Sequence, residues 1–194
     1  MLAKKLKKYN LILASGSPRR QALLKDLDIN FTVKIKNIKE SYPDHLIGSQ
    51  ITDYLSELKA NAYKKDLNQN DILITSDTIV WLQNKALGKP CNYEEAFNML
   101  MSLSNKEHEV ITSVYINIGN NKSILINDIA KVYFKELQKT EVDYYIKEYK
   151  PFDKAGAYGI QEWIGKIGIK RIEGNYFTVM GFPVHKLYKE LKNL

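Results

Sequence analysis

The stretch that most constrains the fold is Leu11-Ile12-Leu13-Ala14-Ser15-Gly16-Ser17-Pro18-Arg19-Arg20-Gln21-Ala22-Leu23-Leu24. An apolar run short enough for a buried strand gives way to small residues and then to a proline, which has no N–H to lose at the first position of a helix. The pattern reads as strand, tight turn, helix, with Ser17 as N-cap and Pro18 as the first helical residue. Arg19 and Arg20 then put two cations in the first turn, where unpaired N–H groups already present positive charge. An anion would resolve that conflict. A phosphate held by Ser15, Ser17, helix N–H donors and guanidinium forks is one reading. A capped surface helix with its arginines in water is the other. No Gly-Lys-Ser/Thr follows Gly16, so the segment is not a Walker A loop.

A second constraint lies at residues 71–81, Asp-Ile-Leu-Ile-Thr-Ser-Asp-Thr-Ile-Val-Trp, which read as the most buried strand of the chain yet carry Asp77 in their middle. An ionised carboxylate in such a run is costly unless it is paired, hydrogen-bonded or bound to a cation. Asp77 is therefore the leading candidate for chemistry, against the alternative of an aspartate that caps a nearby turn.

Around these two anchors the periodicity alternates between helix and strand. Helices are expected over 18–27 with Ala22, Leu23 and Leu27 inward, over 52–65 with Tyr54, Leu55, Leu58 and Ala62 inward, and over 93–103 with Ala96, Phe97, Leu100 and Met101 inward. A further helix is expected from a Thr140 cap to Tyr149, ended by Pro151, and a last one from near Pro183. Strands are expected over 31–35, over 109–118 and 123–134 as a hairpin turning at Gly119-Asn120-Asn121, around 169–172, and again after the turn Glu173-Gly174-Asn175. Gln83-Asn84-Lys85 reads as a turn. Glu40 falls in a polar loop over 36–48, and Lys59 neighbours a helix stripe and points either into a cleft or to water. Lys89, confined between Gly88 and Pro90, has a restricted path that could reach a phosphate. The glycines of Asp153-Lys154-Ala155-Gly156-Ala157-Tyr158-Gly159-Ile160-Gln161 suggest a backbone that approaches a ligand closely.

At 194 residues the chain is long enough for one compact domain or two lobes sharing a sheet. A net charge of +7 favours anionic partners, but the lysines are spread out rather than gathered in one block. Thirteen tyrosines offer stacking platforms for bases or, more simply, packing faces. Cys91 is the only cysteine, which excludes an internal disulfide, and His45, His108 and His185 lack metal-ligand spacing. No apolar run approaches the roughly 20 residues of a membrane span, and Leu11 to Ala14 is too short for a signal-peptide core. A cytoplasmic protein is expected.

The segments LASGSPRRQALL, SDTIV with LGKP, HEVITSV, DKAGAYGIQ and IEGNYFTVMGFP, in that order, resemble the signature segments of the Maf family of nucleoside triphosphate pyrophosphatases. The resemblance runs from Leu11 to about Leu191, and the DKAGAYGIQ form is similar to the subgroup acting on dTTP and UTP. It implies a single domain over 1–194 with an elongated, ITPase-like α/β fold, a central mixed sheet with flanking helices and two lobes around a cleft. The implied reaction is hydrolysis between the α and β phosphates, giving a nucleoside monophosphate and pyrophosphate, with Mg²⁺ or Mn²⁺ as cofactor. By position, Asp77 matches the proton acceptor, while Glu40, Lys59 and Lys89 match charged residues of the active cleft. Glu40 and Asp77 would organise the metal. Arg19, Thr78 and Gln161 match positions tied to substrate choice, beside the phosphate contacts expected of Ser15, Ser17 and Arg20. Modified pyrimidine nucleotides are further candidate substrates, and the family suggests a homodimer; the lack of a long apolar run leaves no membrane partner expected. Three residues depart from the pattern: Ser76 for alanine, Asn175 for serine, and Glu162 where glycine commonly follows the glutamine. Glu162 would either disturb the base pocket or face water. A nucleic-acid-binding protein, or a cell-division regulator without turnover, is the alternative function.

Overall fold

The computed structural model describes residues 2–119 and 122–194. Among them, seven strands form one mixed sheet of order β2-β1-β3-β5-β6-β7, with β4 paired to β3. The strands are β1 (Asn10–Leu13), β2 (Thr32–Val33), β3 (Asp71–Leu82), β4 (Lys85–Leu87), β5 (Glu107–Ile118), β6 (Lys122–Phe134) and β7 (Ile169–Glu173). The helices are α1 (Leu2–Leu6), α2 (Pro18–Lys25), α3 (Ser49–Asn61), α4 (Tyr93–Leu103), α5 (Lys139–Tyr149), α6 (Trp163–Gly168), α7 (Tyr176–Val179) and α8 (Val184–Lys192). β1 runs parallel to β2 and β3, while β3–β4 and β6–β7 are antiparallel.

The chain divides into two compact units. Unit 1 holds the residues up to Asp77 with Thr112–Asp128 and Gly181–Leu194; unit 2 holds Thr78–Ile111 and Ile129–Met180. In unit 1, Ile12, Ala60, Tyr63, Leu67 and Leu73 form a core between sheet and α3. The register of β1 on β3 is pinned where the buried carboxylate of Asp71 accepts from the Asn10 amide at 3.0 Å and the Asn68 N–H at 2.8 Å. In unit 2 the larger core gathers Leu100, Leu103, Val132, Phe134, Tyr145 and Ile164 around the sheet.

Ser17 caps α2 as expected, its hydroxyl accepting the Arg20 N–H at 3.5 Å, but the helix stops at Lys25 and buries Leu23 and Leu24 rather than Ala22 and Leu27. α3 begins at Ser49, earlier than its apolar stripe suggests, and its core face is Ile51, Thr52, Leu55, Ser56 and Ala60. The polar members hid that face. Thr52 Oγ1 bonds the Ser49 carbonyl and lies 2.7 Å from Ser113 Oγ, and Ser56 Oγ donates to the Asp53 carbonyl, so both hydroxyls are satisfied where they are buried. Tyr54, expected inside, is exposed. β2 is only two exposed residues of the five expected.

Asn92 caps α4, and α5 starts two residues early, with a capping box between Gln138 and Glu141 in place of the expected Thr140 cap. Lys150 ends α5 in the left-handed conformation ahead of Pro151. Gln83 and Asn84 both take positive φ, which suits the two-residue β3–β4 hairpin. Of the second hairpin turn, Asn120 and Asn121 lie outside the described residues. The strand expected after Asn175 is instead helix α7, because the Asn175 side chain accepts the Phe177 N–H at 2.9 Å and starts a helical turn. α1, which packs on α8, and α6 carry too few residues to declare themselves by periodicity.

Candidate active site

β3 presents Asp77 toward α3, the helix that bears Lys59. Lys59 Nζ lies 2.6 Å from Asp77 Oδ1 and 3.1 Å from Glu40 Oε1, with the Lys59 and Asp77 side chains only 13% and 9% exposed. Two carboxylates thus converge on one enclosed ammonium. Burial pushes the Asp77 carboxyl above its ordinary value; Lys59 and Arg20 pull against that, and the Glu40 charge adds to it. Asp77 is therefore the expensive buried carboxylate its sequence context implies, held by cations rather than by a turn.

The N-terminus of α2 supplies the next cation. Arg20 donates from Nη1 to the Ser76 carbonyl and from Nε to the Gly181 carbonyl, each at 2.9 Å. Its guanidinium is lowered in pKa first by burial, with Asp77 opposing the shift. Arg20 is neither loose in water nor wholly available to a phosphate: two of its donors fix it to the main chain, leaving a held positive charge beside Asp77. Before it, Ser15 Oγ accepts the Ser17 N–H at 3.2 Å and the Ser15 carbonyl accepts from the Gln21 amide at 3.1 Å, so the turn is braced from both sides. Arg19, the neighbouring cation in the same first turn, is half-buried. Unit 1 thus brings together Ser15, Ser17, Arg19, Arg20, Glu40, Lys59 and Asp77.

Thr78, Lys89 and Gln161 belong to unit 2. Lys89 is exposed, and Thr78 is the residue after Asp77 on β3. Gln161 lies in the lining of a cavity of about 430 Å³ shared with Ile160, Lys166, Lys170, Arg171 and Tyr176. Its Oε1 is enclosed and has no hydrogen-bond partner among the described residues. The two glycines before it approach protein. Gly156 sits at φ +66°, and a Cβ there would lie 2.7 Å from Val80 Cγ2; a Cβ on Gly159 would lie 2.8 Å from Glu162 Cδ. Of the polar residues of this segment Lys154 turns inward, buried against Glu162 and the exposed Asp153. Motif reading misses Lys154 and Tyr145, which both bond Glu162: a lysine in a polar loop and a tyrosine on a helix carry no local sign of burial.

Among the described residues no group of three or more His, Cys, Asp or Glu side chains is placed to hold a metal. The Glu40–Asp77 pair supplies two carboxylates, the donor set that Mg²⁺ takes when substrate phosphates complete its shell. The histidines stay out of this chemistry. His108 is buried and bonds Tyr158 Oη at 2.8 Å, His185 faces Asp128, and His45 is exposed. No helix among the described residues is long and apolar enough to cross a membrane.

The chain is 55% identical over 194 residues to a dTTP/UTP pyrophosphatase of Flavobacterium johnsoniae, covering 100% of both chains. It is 52% identical over 194 residues to a dTTP/UTP pyrophosphatase of Christiangramia forsetii, covering 100% of this chain and 98% of the relative. Among solved structures, a HAM1 protein from Coxiella burnetii matches with a TM-score of 0.51 at 15% identity, covering 96% of this chain and 100% of that one, a likeness of fold alone. The profile of the Maf-like protein family matches residues 10–194, and the chain belongs to that family.

Proposed function

We propose that this protein is a nucleoside triphosphate pyrophosphatase that hydrolyses dTTP and UTP, and modified pyrimidine triphosphates of the same edge chemistry, to the monophosphate and pyrophosphate. The observation that carries the reading is Asp77, a buried carboxylate raised toward the neutral form yet paired to Lys59 and faced by Arg20. A group of that kind is suited to take a proton from water at an anionic substrate, since its charge and basicity are set by neighbours rather than by solvent. The names of the full-length relatives supply the substrate class.

In this mechanism Asp77 orients and deprotonates the attacking water. Lys59, once a substrate phosphate competes for it, exchanges a carboxylate partner for the developing charge on phosphorus oxygens, and Arg20 and Arg19 offset charge from the α2 end. Lys89 is assigned to the same phosphates. Ser15 and Ser17 add hydroxyl and N–H donors. Glu40 and Asp77 would hold a Mg²⁺ or Mn²⁺ ion, which when bound neutralises phosphate oxygens and acidifies water.

For the base, Gln161 is the reading residue, with Thr78 beside the reacting end. The unpaired Gln161 Oε1 supports this, because the ring N–H of uracil or thymine would satisfy an acceptor that cytosine, unprotonated there, leaves empty. A nucleoside triphosphate pool also fits a cytoplasmic enzyme, and a homodimer is part of the same proposal. The test is a panel of nucleoside triphosphates with Mg²⁺, with Mn²⁺ and with EDTA, separating pyrophosphate from orthophosphate. UTP and dTTP should be cleaved well ahead of CTP, ATP and GTP, with pyrophosphate as the product and none formed in EDTA. Faster loss of CTP or a purine triphosphate overturns the base assignment, and orthophosphate as the first product overturns the reaction.

A further inference from the structure

Glu162 follows Gln161 directly and is half-buried, with a side chain 19% exposed. Both of its carboxylate oxygens are engaged: Oε2 accepts from the Tyr145 hydroxyl, and Oε1 lies 3.2 Å from Lys154 Nζ. Lys154 is itself only 8% exposed and is held on its other side by Asp153 at 2.6 Å. Tyr145, fully buried on α5, accepts the Gly159 N–H at 3.0 Å, and the Glu162 N–H donates to the Gly159 carbonyl at 3.0 Å. These bonds close a ring through Gly159, Tyr145 and Glu162 that brackets Ile160 and Gln161.

Gly159 shows how closely the ring is drawn. A Cβ there would stand 2.8 Å from Glu162 Cδ and 2.9 Å from Oε2, so the carboxylate occupies the volume of the side chain that Gly159 lacks. Burial first, and then the Glu162 contact, push the Tyr145 hydroxyl far above its ordinary pKa, which keeps it a donor at any working pH. Glu162 therefore neither faces water nor offers its charge to a base.

We propose that Glu162 is the positioning residue of the base-reading segment: with Tyr145 and Lys154 it locks residues 159–162, aims Gln161, and thereby sets the preference for uracil and thymine. The inference rests on the pyrophosphatase reading above. It places Glu162 in specificity and not in chemistry, so its removal should act on KM for the cognate base and leave kcat alone.

The test compares wild type with Glu162→Ala, Glu162→Gln and Tyr145→Phe in two assays. In the first, kcat and KM are measured for UTP, dTTP and CTP. In the second, backbone hydrogen exchange of residues 158–163 is followed in the ligand-free protein. Glu162→Ala should raise KM for UTP and dTTP roughly tenfold, the scale of one misaligned buried hydrogen bond, with kcat and the CTP parameters nearly unchanged. Exchange of the segment should speed up in parallel. Tyr145→Phe should reproduce this pattern, while Glu162→Gln, which still accepts from Tyr145 but loses its charge toward Lys154, should fall between wild type and alanine. An unchanged UTP to CTP ratio in Glu162→Ala overturns the proposal, as does a uniform loss of kcat with all three substrates, which marks a merely structural role. A wild-type protein that cleaves none of the three overturns the pyrophosphatase reading first and this proposal with it.

Discussion

Lys59 Nζ stands 2.6 Å from Asp77 Oδ1 while also reaching Glu40 Oε1 at 3.1 Å, so one ammonium arbitrates between two carboxylates of which one is buried and one is not. Replacing Asp77 with Asn keeps the volume and removes charge and basicity. Turnover should drop ~10²–10⁴-fold, the usual worth of a general base, with the circular dichroism of the native fold. The thermal melt gives an independent check. Because the folded pKa of Asp77 lies above its unfolded value, the native state holds that proton more tightly, and stability from this group falls as pH rises through the window between them. Asp77→Asn lacks that decline. A variant with wild-type turnover, or a wild type whose melt tracks the variant across the window, contradicts the assignment.

The two neighbours of Asp77 should move the acidic limb of the kcat/KM profile in opposite directions. Lys59 lowers the Asp77 pKa and Glu40 raises it. Lys59→Met should therefore shift the limb to higher pH and Glu40→Gln to lower pH, each on top of a reduced plateau. Shifts of the same sign in both variants would mean that the limb belongs to another group.

His108 gives a pH signature outside the site. Burial drives its imidazole from the ordinary 6.5 down to about 4, and Tyr158 Oη accepts or donates at Nε2 while Nδ1 has no partner among the described residues. The unfolded chain takes up a proton below pH 6.5 that the folded chain refuses. Stability should fall as pH drops from 6.5 toward 4, with this one residue accounting for about 3 kcal/mol at the bottom of that window. Urea titrations of wild type and His108→Gln at several pH values should converge as pH falls.

How much of this was legible in the sequence depends on how far each signal reaches. The strand–turn–helix at Leu11 to Leu24, the Ser17 cap and the charged interruption at Asp77 are local signals, and each holds. The α3 face departs from its apolar stripe because Thr52 and Ser56 are buried with their hydroxyls bonded, a compensation that apolar periodicity does not register. Sequence leaves Lys59 between cleft and water, since its pairing with Asp77 and Glu40 joins a helix, a strand and a loop across separations that no spacing rule spans. Glu162 is undecided in the sequence for the same reason. Its partners lie on α5 and in the loop after it, and the nearby glycine that looked like room for a ligand is filled by the Glu162 carboxylate itself.

Two glycines offer a final test with opposite signs. Gly165 lies in α6, and a Cβ there would stand 1.9 Å from the Ile160 carbonyl oxygen and 2.5 Å from its carbon, both main-chain atoms that cannot swing aside. Gly165→Ala must push α6 away from the backbone that leads into Gln161. Overpacking of this kind costs typically ~1–3 kcal/mol, and the displaced segment should also raise KM for UTP. Gly88, beside Lys89, has nothing within 4 Å of the corresponding point and is absent from the positive-φ glycines. Gly88→Ala should therefore stabilise the protein by ~0.4–1 kcal/mol, through the lower entropy of the unfolded chain. Melting both variants beside wild type decides the matter: Gly165→Ala should melt below it and Gly88→Ala at or above it. A Gly165→Ala protein as stable as wild type would mean that α6 and Ile160 are not held in the contact that presents Gln161.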